Sequence, residues 1–165
     1  MDLKRIARHV LHTQRALRRA FPGTALDAIG AAVAAGERRH SAELRVVIEG
    51  ELSWDPLLTG QSPRERAVEV FATERVWDTA ANNGVLLYVL MADRDVEIVA
   101  DRGFNGRVTA DEWQSVCVAI ERRFRAGEFI AGTIEGVEAL NELLAREFPA
   151  QGGGPDELPD RPMLR

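Results

Sequence analysis

The run Asn82-Asn83-Gly84-Val85-Leu86-Leu87-Tyr88-Val89-Leu90 decides the fold. From Gly84 onward it carries no charged residue, so a strand formed here needs cover on both faces and belongs in the centre of a sheet. Ala92-Asp93-Arg94-Asp95 has the composition of a turn with solvated carboxylates. Val96-Glu97-Ile98-Val99-Ala100 then predicts an antiparallel neighbour. Upstream, Leu44-Arg45-Val46-Val47-Ile48 alternates as a strand with one face more buried than the other.

Helices surround these strands. Asp2 to Ala20 reads as one amphipathic helix, with Leu3, Ile6, Val10, Leu17 and Phe21 in a single sector. Pro22-Gly23 stops it. Thr24 to about His40 follows, with Thr24 and Asp27 spaced as a capping box. Ser62-Pro63-Arg64-Glu65 opens a helix reaching about Trp77. Thr109 and Glu112 cap the next, which Gly127 ends. Phe129 to Phe148 is the last. The order ααβαββαα predicts an α/β chain folded as a three-layer α/β/α sandwich, a small mixed sheet covered by helices on both faces. Residues 1–21 form a basic helix, 22–149 the domain, and 150–165, rich in glycine and proline, a flexible tail.

The chain of 165 residues is long enough to bury a core unaided. The longest apolar run, Val85 to Ala92, falls short of the roughly 20 residues of a membrane span, and the charged first residues predict no secretory leader. A single cysteine, Cys117, excludes an internal disulfide and sits on the apolar stripe of its helix. These features predict a cytoplasmic protein. The net charge of -5 is unevenly spread. Residues 1–40 are basic and the remainder acidic, which argues against nucleic acid as a partner.

Several segments carry a family resemblance. They are Asn82-Asn83-Gly84-Val85-Leu86-Leu87-Tyr88-Val89, Asp93-Arg94, Val96-Glu97-Ile98-Val99, Arg102-Gly103-Phe104, Phe124-Arg125-Ala126-Gly127-Glu128-Phe129-Ile130-Ala131-Gly132 and Gly136-Val137-Glu138-Ala139-Leu140. In that order, over roughly residues 24 to 147, they resemble the TPM domain family, also known as TPM phosphatases. The resemblance implies the α/β/α fold, calcium binding, weak acid phosphatase activity, and roles in membrane-protein assembly or repair. It also implies bacterial relatives that accompany a LemA-type membrane protein or another TPM-domain protein. The ending Asp-Glu-Leu-Pro-Asp-Arg-Pro is similar to tails of soluble bacterial members.

The departures concern the ligands. Asn82 stands where the family has the acid of Asp-Asn-Gly, Asn105 replaces a loop acid, and Asp111 comes one residue late after Thr109-Ala110. Calcium affinity depends on the carboxylate count, so binding is expected to be weak or absent. If the two later strands pair antiparallel, Asp78, Asn82, Asn83, Asp101 and Asn105 share one end of the sheet, with Asp111 and Glu112 nearby as candidate metal ligands. Asp101 to Glu112 also partly matches a 12-residue calcium loop, though Gly103 supplies no ligand at its third position. Equally, Glu112 closes a capping box and the glycines permit turns.

No nucleophile elbow, phosphate loop or His-Glu-x-x-His motif is present, and no catalytic residue is assigned. Lys4, Arg8, Arg15 and Arg19 line the polar side of the first helix. They either contact an anionic membrane or acidic partner, or are simply solvated while the apolar sector packs. The expected function is a non-catalytic interaction module linked to membrane-protein assembly or maintenance. The competing expectation is a weak calcium-dependent acid phosphatase.

Overall fold

The computed structural model describes residues 3–150 and 156–165. Its centre is a four-stranded mixed sheet in the order β3-β2-β1-β4. Strand β1 (Glu43–Glu49) runs parallel to β2 (Gly84–Leu90), and β2 pairs antiparallel with β3 (Asp95–Ala100). The short β4 (Met163–Leu164) runs parallel to β1 on its other side. Alternate residues of the sheet feed two cores. Leu44, Val46, Ile48, Val85, Leu87 and Val89 face one, and Val47, Leu86, Tyr88 and Leu90 face the other.

The first core is closed by α3 (Gly23–Glu37), α6 (Ala110–Arg125) and α7 (Phe129–Glu147). The second is closed by α4 (Trp54–Thr59) and α5 (Pro63–Thr73). Both capping boxes at Ser62/Glu65 and Thr109/Glu112 form as their spacing requires. Helix α4 was not foreseen, because six residues with one buried leucine carry little periodicity. Among the described residues no helix is long and apolar enough to cross a membrane.

Four expectations need correction. The amphipathic segment is two helices, α1 (Leu3–Leu11) and α2 (Gln14–Ala20), because Thr13 Oγ1 accepts from Ala16 N and restarts the helix. The break splits the apolar sector: Leu17 and Phe21 are buried, whereas Leu3 and Val10 are exposed. Second, α3 starts at Gly23 after Pro22 with no side-chain cap, and Asp27 instead pairs with Arg161. Third, β1 is buried along its whole length, since Arg45 and Glu49 are satisfied internally. Fourth, residues 156–165 are not a loose end: Leu158 is buried and Met163–Leu164 extends the sheet. The Gly152–Gly154 joint lies outside the described residues.

Candidate functional site

The N-terminal ends of β1 and β2 and the C-terminal end of β3 meet at one edge of the sheet, with Glu43 paired to Gly84 and Val85 to Ala100. Two loops converge there. Asn82 adopts a left-handed backbone (φ 53°), a conformation that asparagine tolerates better than most residues. Its carbonyl accepts from Gly103 N at 2.9 Å. A Cβ at position 103 would collide with that carbonyl, so glycine is required for the approach.

Arg102 dominates this meeting point. Its Nε and Nη2 both donate to Asn82 Oδ1, at 2.9 and 2.6 Å. Asp101 Oδ1 accepts from Arg102 N at 2.7 Å, while its Oδ2 is buried without a hydrogen-bond partner. Asn83 lies beneath the surface, donating to the Ser41 carbonyl at 2.5 Å and receiving its main-chain support from Thr79 Oγ1.

The structure therefore brings Asn82, Asn83 and Asp101 to one end of the sheet, with the Asn83 side chain turned to Ser41, and the other candidates lie outside this group. Asp78 pairs with Arg75 on the solvent side. Asn105 and Asp111 are exposed. Glu112 Oε2 takes the Thr109 amide and hydroxyl, and Oε1 faces Arg146 at 2.7 Å. The Thr109 amide, then Arg146, hold the Glu112 carboxyl down to about 2. Both oxygens of the twelfth calcium-loop position are thus committed to the helix start.

Asp101, two asparagine amides, the Arg102 guanidinium and a Glu157 carboxylate already spent on Ala80 N do not fit a divalent-cation cluster, which needs several available anionic oxygens and no competing cation. Among the described residues, three carboxylates lie within 4.8 Å of one another only at Glu37, Asp156 and Asp160. That group belongs to the contact between α3 and the C-terminal segment. Burial, reinforced by Asp160, pushes the Glu37 carboxyl up to about 9, although the Leu44 amide opposes it.

The opposite end of the sheet holds a second polar centre where the sequence predicts a solvated turn. Asp93 takes Arg5 Nε at 2.8 Å and Arg8 Nη2 at 3.1 Å. His9 Nε2 lies 3.3 Å from the same carboxylate, without the alignment of a hydrogen bond. His9 Nδ1 accepts from Leu52 N at 3.0 Å, so the proton of the neutral ring sits on Nε2. These contacts fasten α1 over the C-terminal ends of β1 and β2. Nearby, Glu49 binds Arg66 through both oxygens and accepts from Tyr88 Oη at 2.6 Å. Lys4, Arg15 and Arg19 are exposed, and Cys117 is buried, its thiol pushed up to about 12 chiefly by desolvation.

A mixed sheet between two helical layers, with paired loops at the head of its central strand, defines an α/β/α domain of the kind the sequence resembled. Residues 19–143 match the TPM domain, a family designated TPM phosphatase, and the chain belongs to that family. It is similar to BA42 of the psychrophilic bacterium Bizionia argentinensis, solved by NMR. The identity is 31% and the TM-score 0.75, over 88% of this chain and 95% of that one. No curated protein matches the sequence.

Proposed function

We propose that this TPM domain works as a non-catalytic interaction module in the assembly or maintenance of membrane proteins. The observation that carries the reading is the Arg102 guanidinium on Asn82 Oδ1. A fixed cation occupies the face of the loop pair where a metal would otherwise gather carboxylates. Of the predicted ligand acids it leaves Asp101 beside it, and the nearby Glu157 carboxylate is spent on Ala80 N. The family's roles supply the link to membrane proteins, and α1 adds a surface suited to such a setting. Leu3, Val10 and Leu11 are exposed on the same short helix as Lys4 and Arg8, and a helix that mixes basic and apolar exposed residues favours anionic interfaces.

The competing reading, a calcium-dependent acid phosphatase, draws on the partnerless Asp101 Oδ2. Steady-state hydrolysis of a chromogenic phosphomonoester at saturating calcium separates the two. The interaction reading expects background rates for the wild type and for Asp101→Ala alike. Saturable turnover lost in Asp101→Ala refutes it.

A further inference from the structure

The edge of β1 that β4 covers is lined by groups that address a peptide backbone. Arg45 is 5% exposed and Glu43 is 6% exposed, an expensive burial for two charges unless each is hydrogen-bonded. Arg45 Nη2 lies 3.7 Å from Glu74 Oε2, and the remaining partners of both side chains come from one extended stretch. Arg45 Nη1 donates to the carbonyls of Pro159 and Arg161, each at 2.9 Å. Glu43 Oε2 accepts from the amides of Glu157 and Leu158 at 3.1 and 3.0 Å. Farther along, the Arg165 amide donates to Ile48 O, and the Gly50 amide donates to Arg165 O. Buried acid and base thus grip the main chain at its start, and β-ladder bonds grip it at its end.

Specificity comes from two places. Leu158 enters the apolar cluster that includes Val47, Leu52 and Leu57. On the α3 side, a Cβ on Gly30 would come 3.3 Å from Arg161 Cα, so the bare helix backbone is what admits the segment. The residues that match the family, 19–143, already contain β1, β2 and β3 and end before this segment. The segment contributes only a two-residue strand. It is therefore arranged as a ligand laid on a finished sheet, the mode by which an extended peptide adds to a sheet edge.

We propose that the β1 edge is a peptide-binding groove, occupied in cis by residues 156–165 and open in exchange to the same segment of a second copy of the chain. This deepens the interaction reading by naming a partner, and it rests on that reading. Occupancy also reaches the loop pair, because Glu157 accepts from Ala80 N through both oxygens, at 3.1 and 3.2 Å. Five residues separate Ala150 from Asp156 in the sequence, so the cis segment is covalently held near the groove and a partner's segment must compete with it.

Fluorescence anisotropy of a labelled peptide spanning residues 156–165, titrated with the full-length chain, tests the proposal. Leu158→Asp in the protein vacates the groove and should raise the peptide's affinity at least tenfold over wild type. The same substitution placed in the peptide should abolish binding to either protein. A vacated chain that keeps its circular dichroism yet binds no peptide overturns the proposal, as does binding indifferent to Leu158→Asp in the peptide. If the vacated chain does not fold, hydrogen exchange of the wild type decides. The Glu157, Leu158 and Arg165 amides should exchange at least tenfold faster than Leu87, whereas exchange only through global unfolding makes the segment ordinary core and overturns the groove. Phosphomonoester turnover reads the interaction reading separately, so either can fail alone.

Discussion

Arg102 donates twice to the side-chain oxygen of Asn82, closing the β3–α6 loop onto the loop that leads into the central strand. The residue that departs from the family's acid is therefore tied by a neutral oxygen to a fixed positive charge. An aspartate at position 82 would form an ion pair with Arg102, and a metal would have to displace the arginine to reach it.

The C-terminal segment contributes to stability. Leu158→Ala removes buried volume from the second core and should cost about 2–3 kcal/mol in denaturant unfolding. Removal of residues 151–165 should cost more, because Glu43 and Arg45 lose the backbone groups that satisfy them. The sequence alone predicts the opposite, a dispensable tail, so equal melting temperatures would restore that view.

Stability should fall with rising pH through Glu37. Its folded carboxyl is raised to about 9 from an ordinary 4.5, by burial first and Asp160 next. The folded state then holds a proton that the unfolded chain has released. The resulting stability is complete below about 4.5 and is lost as pH climbs to about 9. Melting temperatures across that window should decline, and Glu37→Gln, which keeps a donor toward Asp160, should flatten the decline.

The α1 fastening runs the other way. Burial lowers the affinity of His9 for a proton against the pull of Asp93, with Arg5 and Arg8 adding to the burial effect. Its contribution is present above the ordinary value of 6.5 and disappears as pH falls below it, because a proton on Nδ1 breaks the bond from Leu52 N. Limited proteolysis should cut within residues 3–12 faster at acidic pH than at neutral pH. Asp93→Ala should expose the same bonds at neutral pH and cost about 2 kcal/mol. An unchanged cleavage pattern in Asp93→Ala would show that α1 is held by other contacts.

The sheet was legible because strand β2 is apolar at every position and the capping boxes at Ser62 and Thr109 sit at fixed spacing. What escaped are effects of tertiary contact. Arg45, the one charged residue in the run Leu44–Ile48, imitates a solvent face, yet it and Glu49 just beyond are each buried against partners distant in sequence. The length of α1 was misjudged because Thr13 looks like one more polar position on a long helix. Leu158, between acids and prolines, gave no local sign of its pocket. At the loop pair, the antiparallel geometry brings Asn82, Asn83 and Asp101 to one end of the sheet as topology requires, whereas Arg102 figures in the sequence only within the family-like segment and not as a site residue. Charged loop residues are usually solvated, and only the left-handed turn at Asn82 aims its oxygen at that guanidinium.

Calcium titration by calorimetry tests the arginine-for-metal arrangement most directly. The wild type should give no saturable heat tighter than about 10⁻⁴ M, and Arg102→Ala combined with Asn82→Asp should bind at least tenfold more tightly than the wild type, since it removes the cation and restores a carboxylate. Micromolar binding by the wild type that Asp101→Ala abolishes would contradict the account.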